Sequence, residues 1–282
     1  MSAQLASILD DAEMALSEGR LLDAEALVRK ALGLDPRSIE SHYMLGEILR
    51  DQGRLGEAEG AYRFVALNAP ENASGEPSKA TPYAAEGWAG LASVLLDQLR
   101  WDEASKAANR ALRENPMCAE GAWVRAILRE RRADYGGALR DYLRAWRSDP
   151  LSYALPIPLS DDTVEELVTE CLQELHPTLR DYLGNVPILL EEVPSEELLR
   201  QYDPPAPPTG ILGFFSGSSL QERSIENPWS VLPGAIVLFR RNLSRIARSR
   251  EEVLDELRVT LFHEVGHFLG LDEDDLEDRG LD

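Results

Sequence analysis

The chain has 282 residues, of which 44% are hydrophobic and 28% are charged, and its formal net charge is −21. This composition is typical of a soluble protein of about two domains, and no apolar run approaches the ~20 residues that a membrane-spanning helix needs. Because nucleic acids and anionic membranes are polyanions, the charge argues against both as partners. The first residues lack the basic segment of a signal peptide, so we expect a cytoplasmic protein.

The first half of the chain repeats with a period of 34 residues. Four prolines each end an Ala-rich helical stretch, and their spacings of 34, 46 and 34 residues place an insertion of 12 residues in the middle period. An alanine twelve residues before each proline lets the two helices of a pair cross closely, and the proline ends the second helix. The prolines are Pro36, Pro70, Pro116 and Pro150, and the alanines are Ala24, Ala58, Ala104 and Ala138.

This pattern resembles a tetratricopeptide repeat array. The motif positions of the first and second helices are filled by Leu45-Gly46, Trp88-x-x-Leu91, Tyr62 and Tyr142. Four units are predicted at about 5–38, 39–72, 85–118 and 119–152. The resemblance implies an all-α solenoid over residues 1–152, with a surface insertion at about 71–84.

An array of this kind leaves a concave groove, whose usual role is to hold a peptide or a partner protein. The alternative is that the array only stabilises the neighbouring domain or drives self-association. One subclass grips acidic C-terminal peptides with Lys and Asn on the first repeat. In this chain the matching positions carry Leu9 and Glu13, so that clamp is absent.

The second half of the chain begins with a helix and continues with short strands. Apolar residues from Val164 to Leu175 recur at helical spacing, and this helix is expected to end at His176-Pro177. Either Asp161 or Asp162 can cap its start. Three runs of strand-forming residues follow, at 186–190, 211–215 and 235–239.

A final helix is predicted after these strands. Ser249 and Glu252 form a capping box, which indicates a helix from residue 250 to about 269. The Pro-rich segment 203–210, between the first two strands, is expected to be a stiff extended loop. The order of helix, strands and helix predicts a small α+β domain over residues 160–282.

The final helix carries His263-Glu264-Val265-Gly266-His267, in which two histidines one turn apart share a helix face and can reach one metal ion. Composition alone predicts a His-acid-x-x-His pattern only ~0.01 times in this chain. Glu264 can act as a general base on water, and Gly270 can end the helix so that Glu273, beside Asp272, supplies a third ligand. The alternative is a helix whose histidines only pack or cap.

The run from Thr260 to Leu276, behind the predicted strands, resembles the minimal zincin-like metallopeptidases of bacteria. The motif of that family is His-Glu-x-x-His-x-x-Gly-x-x-Asp, and both histidines and the final aspartate bind zinc. Carried over to this chain, His263 and His267 match, whereas the final position holds Glu273 in place of aspartate. The alternatives for the third ligand are Asp272 and Asp275. The resemblance implies a zincin-like domain with bound Zn²⁺.

Three hypotheses follow for the function. The leading one is a cytoplasmic zinc metallopeptidase in which Glu264 is the general base and the repeat array recruits a protein substrate or a regulator. A second oxyanion donor is not evident from the motif, and Arg240 or Arg241 is a candidate. The second hypothesis is an interaction protein with a structural or vestigial zinc site. The third is a metal-dependent hydrolase that acts on a bond other than the peptide bond.

The two cysteines and the two histidines outside the motif are expected to have structural roles. Cys118 and Cys171 lie far apart without Cys-x-x-Cys spacing, which favours buried or free thiols over a disulfide framework. His176 is expected near the C-terminal end of a helix, where the helix dipole favours it. His42 is expected on the surface or in the core of the second repeat.

Overall fold

The protein forms two compact units, Met1–Tyr153 and Ala154–Asp282. The structure is a computed structural model, and it describes residues 3–70, 83–174, 180, 186–216 and 235–269. The predicted insertion at about 71–84 lies almost entirely outside the described residues. None of the helices in the described ranges is both long and apolar enough to cross a bilayer.

The first unit consists of four helix pairs, as the sequence period predicts. Within each pair the two helices pack against each other, and consecutive pairs stack. The alanines that precede the prolines are buried, with 0–2% of their surface exposed, so they allow the close helix crossings. The helices are α1 (Ala3–Ser17), α2 (Leu21–Leu34), α3 (Ile39–Asp51), α4 (Leu55–Asn68), α5 (Tyr83–Asp97), α6 (Trp101–Glu114), α7 (Ala119–Glu130) and α8 (Tyr135–Ser148).

Each pair turns through one residue in the left-handed region, always at the same place in the repeat. These residues are Gly19, Gly53, Leu99 and Ala133, with φ values of 72°, 71°, 59° and 58°. Glycine adopts this conformation without a steric cost, whereas a side chain at Leu99 or Ala133 does so against a penalty. Leu99 is 3% exposed, and the burial of its side chain helps to offset that penalty.

The second unit is an α+β domain with a mixed three-stranded sheet. The predicted strands are present, although the first two begin two residues later than predicted. In the described ranges, two short helices, Glu196–Leu199 and Arg240–Ile246, were not predicted. The elements are α9 (Asp161–Glu174), β1 (Ile188–Glu191), α10 (Glu196–Leu199), β2 (Gly213–Ser216), β3 (Ala235–Phe239), α11 (Arg240–Ile246) and α12 (Arg250–Leu269).

The sheet has the strand order β1-β3-β2, with β1 parallel and β2 antiparallel to β3. The central strand, β3, is the most buried of the three, and its side chains alternate between two cores. Ile236 and Leu238 face the larger core, which α9 and α12 complete. Val237 and Phe239 face a smaller cluster that also contains Leu198 of α10.

The cap predicted for α9 was wrong. The hydroxyl of Ser160 accepts the backbone N–H of Thr163 at 3.1 Å, so Ser160 caps this helix. Asp161 and Asp162 are the next two residues, in the first turn, where their negative charge interacts favourably with the helix dipole. The predicted end of the helix at His176-Pro177 lies outside the described residues.

Both cysteines are buried free thiols, as the sequence predicts. Burial raises the pKa of Cys118 to about 12 and that of Cys171 to about 11, because the thiolate would lose its hydration. Cys171 belongs to the larger core of the second unit, where its Sγ lies 3.8 Å from the carbonyl oxygen of Leu254 in α12. Both thiols are therefore core residues.

Candidate metal centre

The helix that carries the His pair starts at a side-chain cap. The hydroxyl of Ser249 accepts the backbone N–H of Glu252 at 3.2 Å, as the capping box predicts. In a standard capping box the carboxylate of Glu252 would accept the backbone N–H of the N-cap residue, Ser249. Here it accepts the N–H of Arg248, one residue earlier, at 2.6 Å. These two bonds fix the start of α12 at Arg250, and the helix continues through the motif without interruption.

The two histidines converge on one point beside α12. The Nε2 atoms of His263 and His267 lie 3.0 Å apart, and their rings are nearly perpendicular, at 84°. Two imidazole nitrogens bound to one tetrahedral zinc ion would lie about 3.3 Å apart. The observed separation is close to that value, so this pair of side chains fits a divalent metal as two nitrogen ligands.

Glu264 lies between the histidines in sequence and is 6% exposed. It lines the same cleft as His263 and His267. A carboxylate can accept a proton from water, and Glu264 shares its cleft with both imidazoles. The structure thus brings together three of the four predicted site residues.

The predicted third ligand, Glu273, lies outside the described residues, and so do its alternatives Asp272 and Asp275. Within residues 3–70, 83–174, 186–216 and 235–269, no group of three His, Cys, Asp or Glu side chains is arranged to hold a metal ion. The third ligand therefore remains a prediction from the sequence.

The His pair opens into a cleft of about 540 Å³. One wall is the face of α12 that carries the motif, and the opposite wall is formed by β2 with the turn before it and by the end of α10. β2 approaches α12 closely at Gly213, where an added Cβ would lie 2.9 Å from Cγ2 of Thr260. The lining residues outside the motif are Leu198, Gln201, Tyr202, Gly210, Ile211, Leu212, Gly213, Phe214, Phe215, Val259 and Thr260.

β2 is an edge strand at this cleft. In the part of the chain that the structure describes, it pairs with β3 alone, and its residues Gly213, Phe214 and Phe215 line the cleft. An edge strand presents backbone donors and acceptors to which an extended peptide can add. The sequence did not reveal this arrangement, because the residues of β2 are about fifty positions away from the motif.

A buried asparagine holds the turn before β2. Asn242, on α11, is 1% exposed, and its amide donates to the carbonyl oxygens of Pro208 and Ile211 at 3.0 and 2.5 Å. Its own oxygen accepts a bond from the guanidinium of Arg245. Because Gly210 and Ile211 line the cleft, Asn242 fixes the position of one cleft wall.

Replacing Asn242 by leucine is expected to destabilise the second unit by about 2–4 kcal/mol, since a buried and a partly buried carbonyl oxygen would lose their donor. Urea denaturation followed by circular dichroism measures this change. Asn68→Leu is the matched control, because the amide of Asn68 also donates to a backbone carbonyl but is exposed. Equal stability losses for the two variants would contradict the assignment of Asn242 as a buried clamp.

The two arginines considered as oxyanion donors point elsewhere. Arg240 donates to the carbonyl oxygen of Leu159 and is ion-paired with Asp161 and Glu192. The Nε of Arg241 lies 2.7 Å from a carboxylate oxygen of Glu192. Neither arginine lines the cleft, so the structure does not support either one as the second oxyanion donor.

A polar network links three repeats of the first unit. Arg50 of α3 is ion-paired with Glu47 at 3.2 Å and with Glu120 of α7 at 2.6 Å. The hydroxyl of Ser93 in α5 also donates to Glu120, at 2.7 Å. Burial raises the pKa of Asp97, near Arg50 and Glu120, to about 6. The network joins the first helices of these repeats through charge-assisted bonds.

The other residues considered in the first unit have structural roles. Leu9 is 3% exposed in the core of the first repeat, and Glu13 is exposed, so neither could form a basic clamp. His42 packs its ring on Phe64, with centroids 3.8 Å apart, and its Nε2 lies 3.1 Å from the carbonyl oxygen of Pro36. His176 lies outside the described residues.

Comparison with protein families identifies both halves of the chain. Residues 9–73 and 90–153 match the tetratricopeptide repeat family, and residues 183–281 match the zincin-like metallopeptidase family. The chain therefore carries tetratricopeptide repeats followed by a zincin-like metallopeptidase domain, as the sequence motifs predict. A search of curated proteins gave no match.

Several solved structures are similar to this chain at low sequence identity. A crystal structure of MamA is 20% identical, covers 49% of this chain and 74% of its own, and has a TM-score of 0.39. YrrB, described as a TPR protein with an unusual peptide-binding site, is 20% identical over 51% of this chain and 68% of its own, with a TM-score of 0.39. A thermophilic TPR protein of Thermus thermophilus, TTC0263, is 18% identical over 52% of this chain and 75% of its own, with a TM-score of 0.43.

Proposed function

We propose that this chain is a zinc-dependent metallopeptidase whose repeat array recruits a protein substrate or partner. His263, His267 and Glu273 would hold the metal, and Glu264 would be the general base. The observation that carries the proposal is the cleft in which the two Nε2 atoms lie 3.0 Å apart, next to a buried carboxylate and along an edge strand. The match to the zincin-like metallopeptidase family supports it.

The residues of the cleft suit peptide hydrolysis in three ways. An extended peptide can add to β2, which would lay its backbone across the face of α12 that carries His263. Zinc, when bound, supplies Lewis acidity, which makes water more acidic and polarises a carbonyl oxygen. Glu264 would accept the proton of the attacking water and deliver it to the amine nitrogen that leaves.

The repeat array supports recruitment of another protein. Tetratricopeptide repeats bury a continuous core by stacking and leave an extended surface for a peptide or a partner protein. Joining such an array to a hydrolytic domain raises the local concentration of whatever the array holds. The array would therefore act mainly on KM for a protein substrate, and less on the rate of the chemical step.

The test is metal analysis and peptide hydrolysis with the full chain, purified without chelator. We expect about one zinc ion per chain, and cleavage of a random-sequence peptide mixture that stops with a chelator and returns with zinc. A chain that binds no zinc would contradict the proposal. Bound zinc with four protein ligands and no hydrolysis would instead favour the interaction protein with a structural site, and hydrolysis of small esters but not peptides would favour the third hypothesis.

A further inference from the structure

The cleft beside the His pair has a wall made from the core of the domain. Leu198, Val237 and Phe239 are buried in a small apolar cluster, against which Ile211 and Phe214 pack while remaining partly exposed. The rings of Phe214 and Phe239 are stacked, with centroids 5.9 Å apart and an angle of 9° between their planes. Leu198, Ile211 and Phe214 also line the cleft, so this cluster is open on the cleft side.

Both walls of the cleft carry exposed side chains with apolar surface. Val259 lies one helical turn before His263 on α12, and it is 48% exposed. Tyr202, which follows α10, is 45% exposed and lines the cleft as well. Solvent-exposed apolar side chains on two walls of one cleft lose contact with water when an apolar group enters between them.

Within the described lining of the cleft, only the motif and the phenol of Tyr202 carry ionisable groups that could interact with a charged side chain. Among the described residues that line it, no Lys, Arg or Asp is present, and the ionisable groups are Glu264, the two histidines and the phenol of Tyr202. A charged side chain that entered this space away from Glu264 and the two histidines would lose hydration without gaining a salt bridge from the described lining. Away from the motif, the described lining therefore favours apolar side chains over charged ones.

We propose that this cleft binds a bulky apolar side chain, such as Leu, Met or Phe, of a residue that flanks the scissile bond. This inference rests on the proposed peptidase function and names its substrate class. A cleft of about 540 Å³ is large enough for such a side chain and part of the peptide backbone. Burial of a Leu or Phe side chain is expected to favour these substrates over alanine by roughly tenfold to a hundredfold in kcat/KM.

A peptide series with the zinc-loaded full chain tests the proposal. The residue next to the cleavage site is Leu, Phe, Ala, Asp or Lys, and hydrolysis is followed by mass spectrometry. We expect the Leu and Phe peptides to be cleaved at least tenfold faster than the Ala, Asp and Lys peptides. Equal rates, or a preference for a charged residue, would overturn the proposal.

A substitution in the wall gives a second test. Val259→Lys places an ammonium group in the cleft, so cleavage of the Leu peptide should fall at least tenfold while cleavage of a Glu peptide rises. The matched control is Ile246→Lys, because Ile246 is 50% exposed and does not line the cleft. A loss of Leu preference in both variants, or in neither, would contradict the assignment of this wall.

A binding measurement separates failure of the inference from failure of the proposed function. The Leu peptide and its Asp counterpart are titrated into the Glu264→Gln variant by calorimetry. Tighter binding of the Leu peptide, lost in the variant that also carries Val259→Lys, would support the apolar site even if the wild-type chain hydrolyses nothing. Hydrolysis by the wild-type chain without apolar preference would overturn the inference alone, and binding of neither peptide would overturn it as well.

Discussion

The Glu264→Gln variant is expected to keep its zinc and to lose peptide hydrolysis by a factor of about 10²–10⁴, the usual contribution of a general base. Glutamine has the size of glutamate but cannot accept the proton of water. Because Glu264 is 6% exposed, an isosteric change avoids the cavity that alanine would leave. The two histidines are unchanged in this variant, so metal binding should persist.

Three measurements check this prediction on one preparation. Metal analysis gives the zinc content, circular dichroism gives the folded fraction at increasing temperature, and the random-sequence peptide mixture gives the rate. Glu251→Gln is the control, because Glu251 is on the same helix but is exposed in its first turn. If the Glu264→Gln variant hydrolysed peptides at the wild-type rate, Glu264 would not be the general base.

The parts of this structure that depend on local pattern were predictable from the sequence. The repeat period fixed the eight helices of the first unit, since every unit repeats the same arrangement of small residues and proline. The spacing of His263 and His267 determined that they share one face of α12, and the structure places their Nε2 atoms 3.0 Å apart. In both cases the residues that interact are close in sequence.

The parts that depend on distant partners were not predictable. Helix α11 was missed because two of its buried positions hold Asn242 and Ser244, which break the apolar pattern that marks a buried helix. Their partners are distant: the amide of Asn242 bonds to Pro208 and Ile211, and Ser244 bonds to Ile157. The strand order and the cleft wall opposite α12 were hidden for the same reason.

One packing contact in the first unit shows the limit of the repeat pattern. The motif pointed to small residues such as Gly46, but the tightest approach to the Tyr62 ring occurs at Gly90. A Cβ added at Gly46 would lie 2.8 Å from the ring, and one added at Gly90 would lie only 2.3 Å from it. Tyr62 is fully buried, and its hydroxyl donates to Glu47, so its ring cannot move aside without losing that bond.

Gly90→Ala is therefore expected to destabilise the repeat array by about 1–3 kcal/mol, the usual cost of overpacking a core. The 2.3 Å approach favours the upper end of that range, so a gain of about 0.5–1 kcal/mol in helix propensity from glycine to alanine leaves a net loss of roughly 2 kcal/mol. The matched control is Gly60→Ala in α4, where an added Cβ meets no atom within 4 Å. That variant should be stabilised by about 0.5–1 kcal/mol, because only the helix propensity changes.

Thermal unfolding of both variants and the wild type tests this prediction, since the melting temperature should fall for Gly90→Ala and rise for Gly60→Ala. If Gly90→Ala raised the melting temperature as Gly60→Ala is expected to do, the ring of Tyr62 would have to shift by roughly 1 Å, from the 2.3 Å approach to an ordinary contact of 3.4 Å. A double variant with Tyr62→Leu then tests the cause directly. Removing the ring should make the Gly90→Ala change neutral or favourable, because the atoms that the new methyl group would strike are those of the ring.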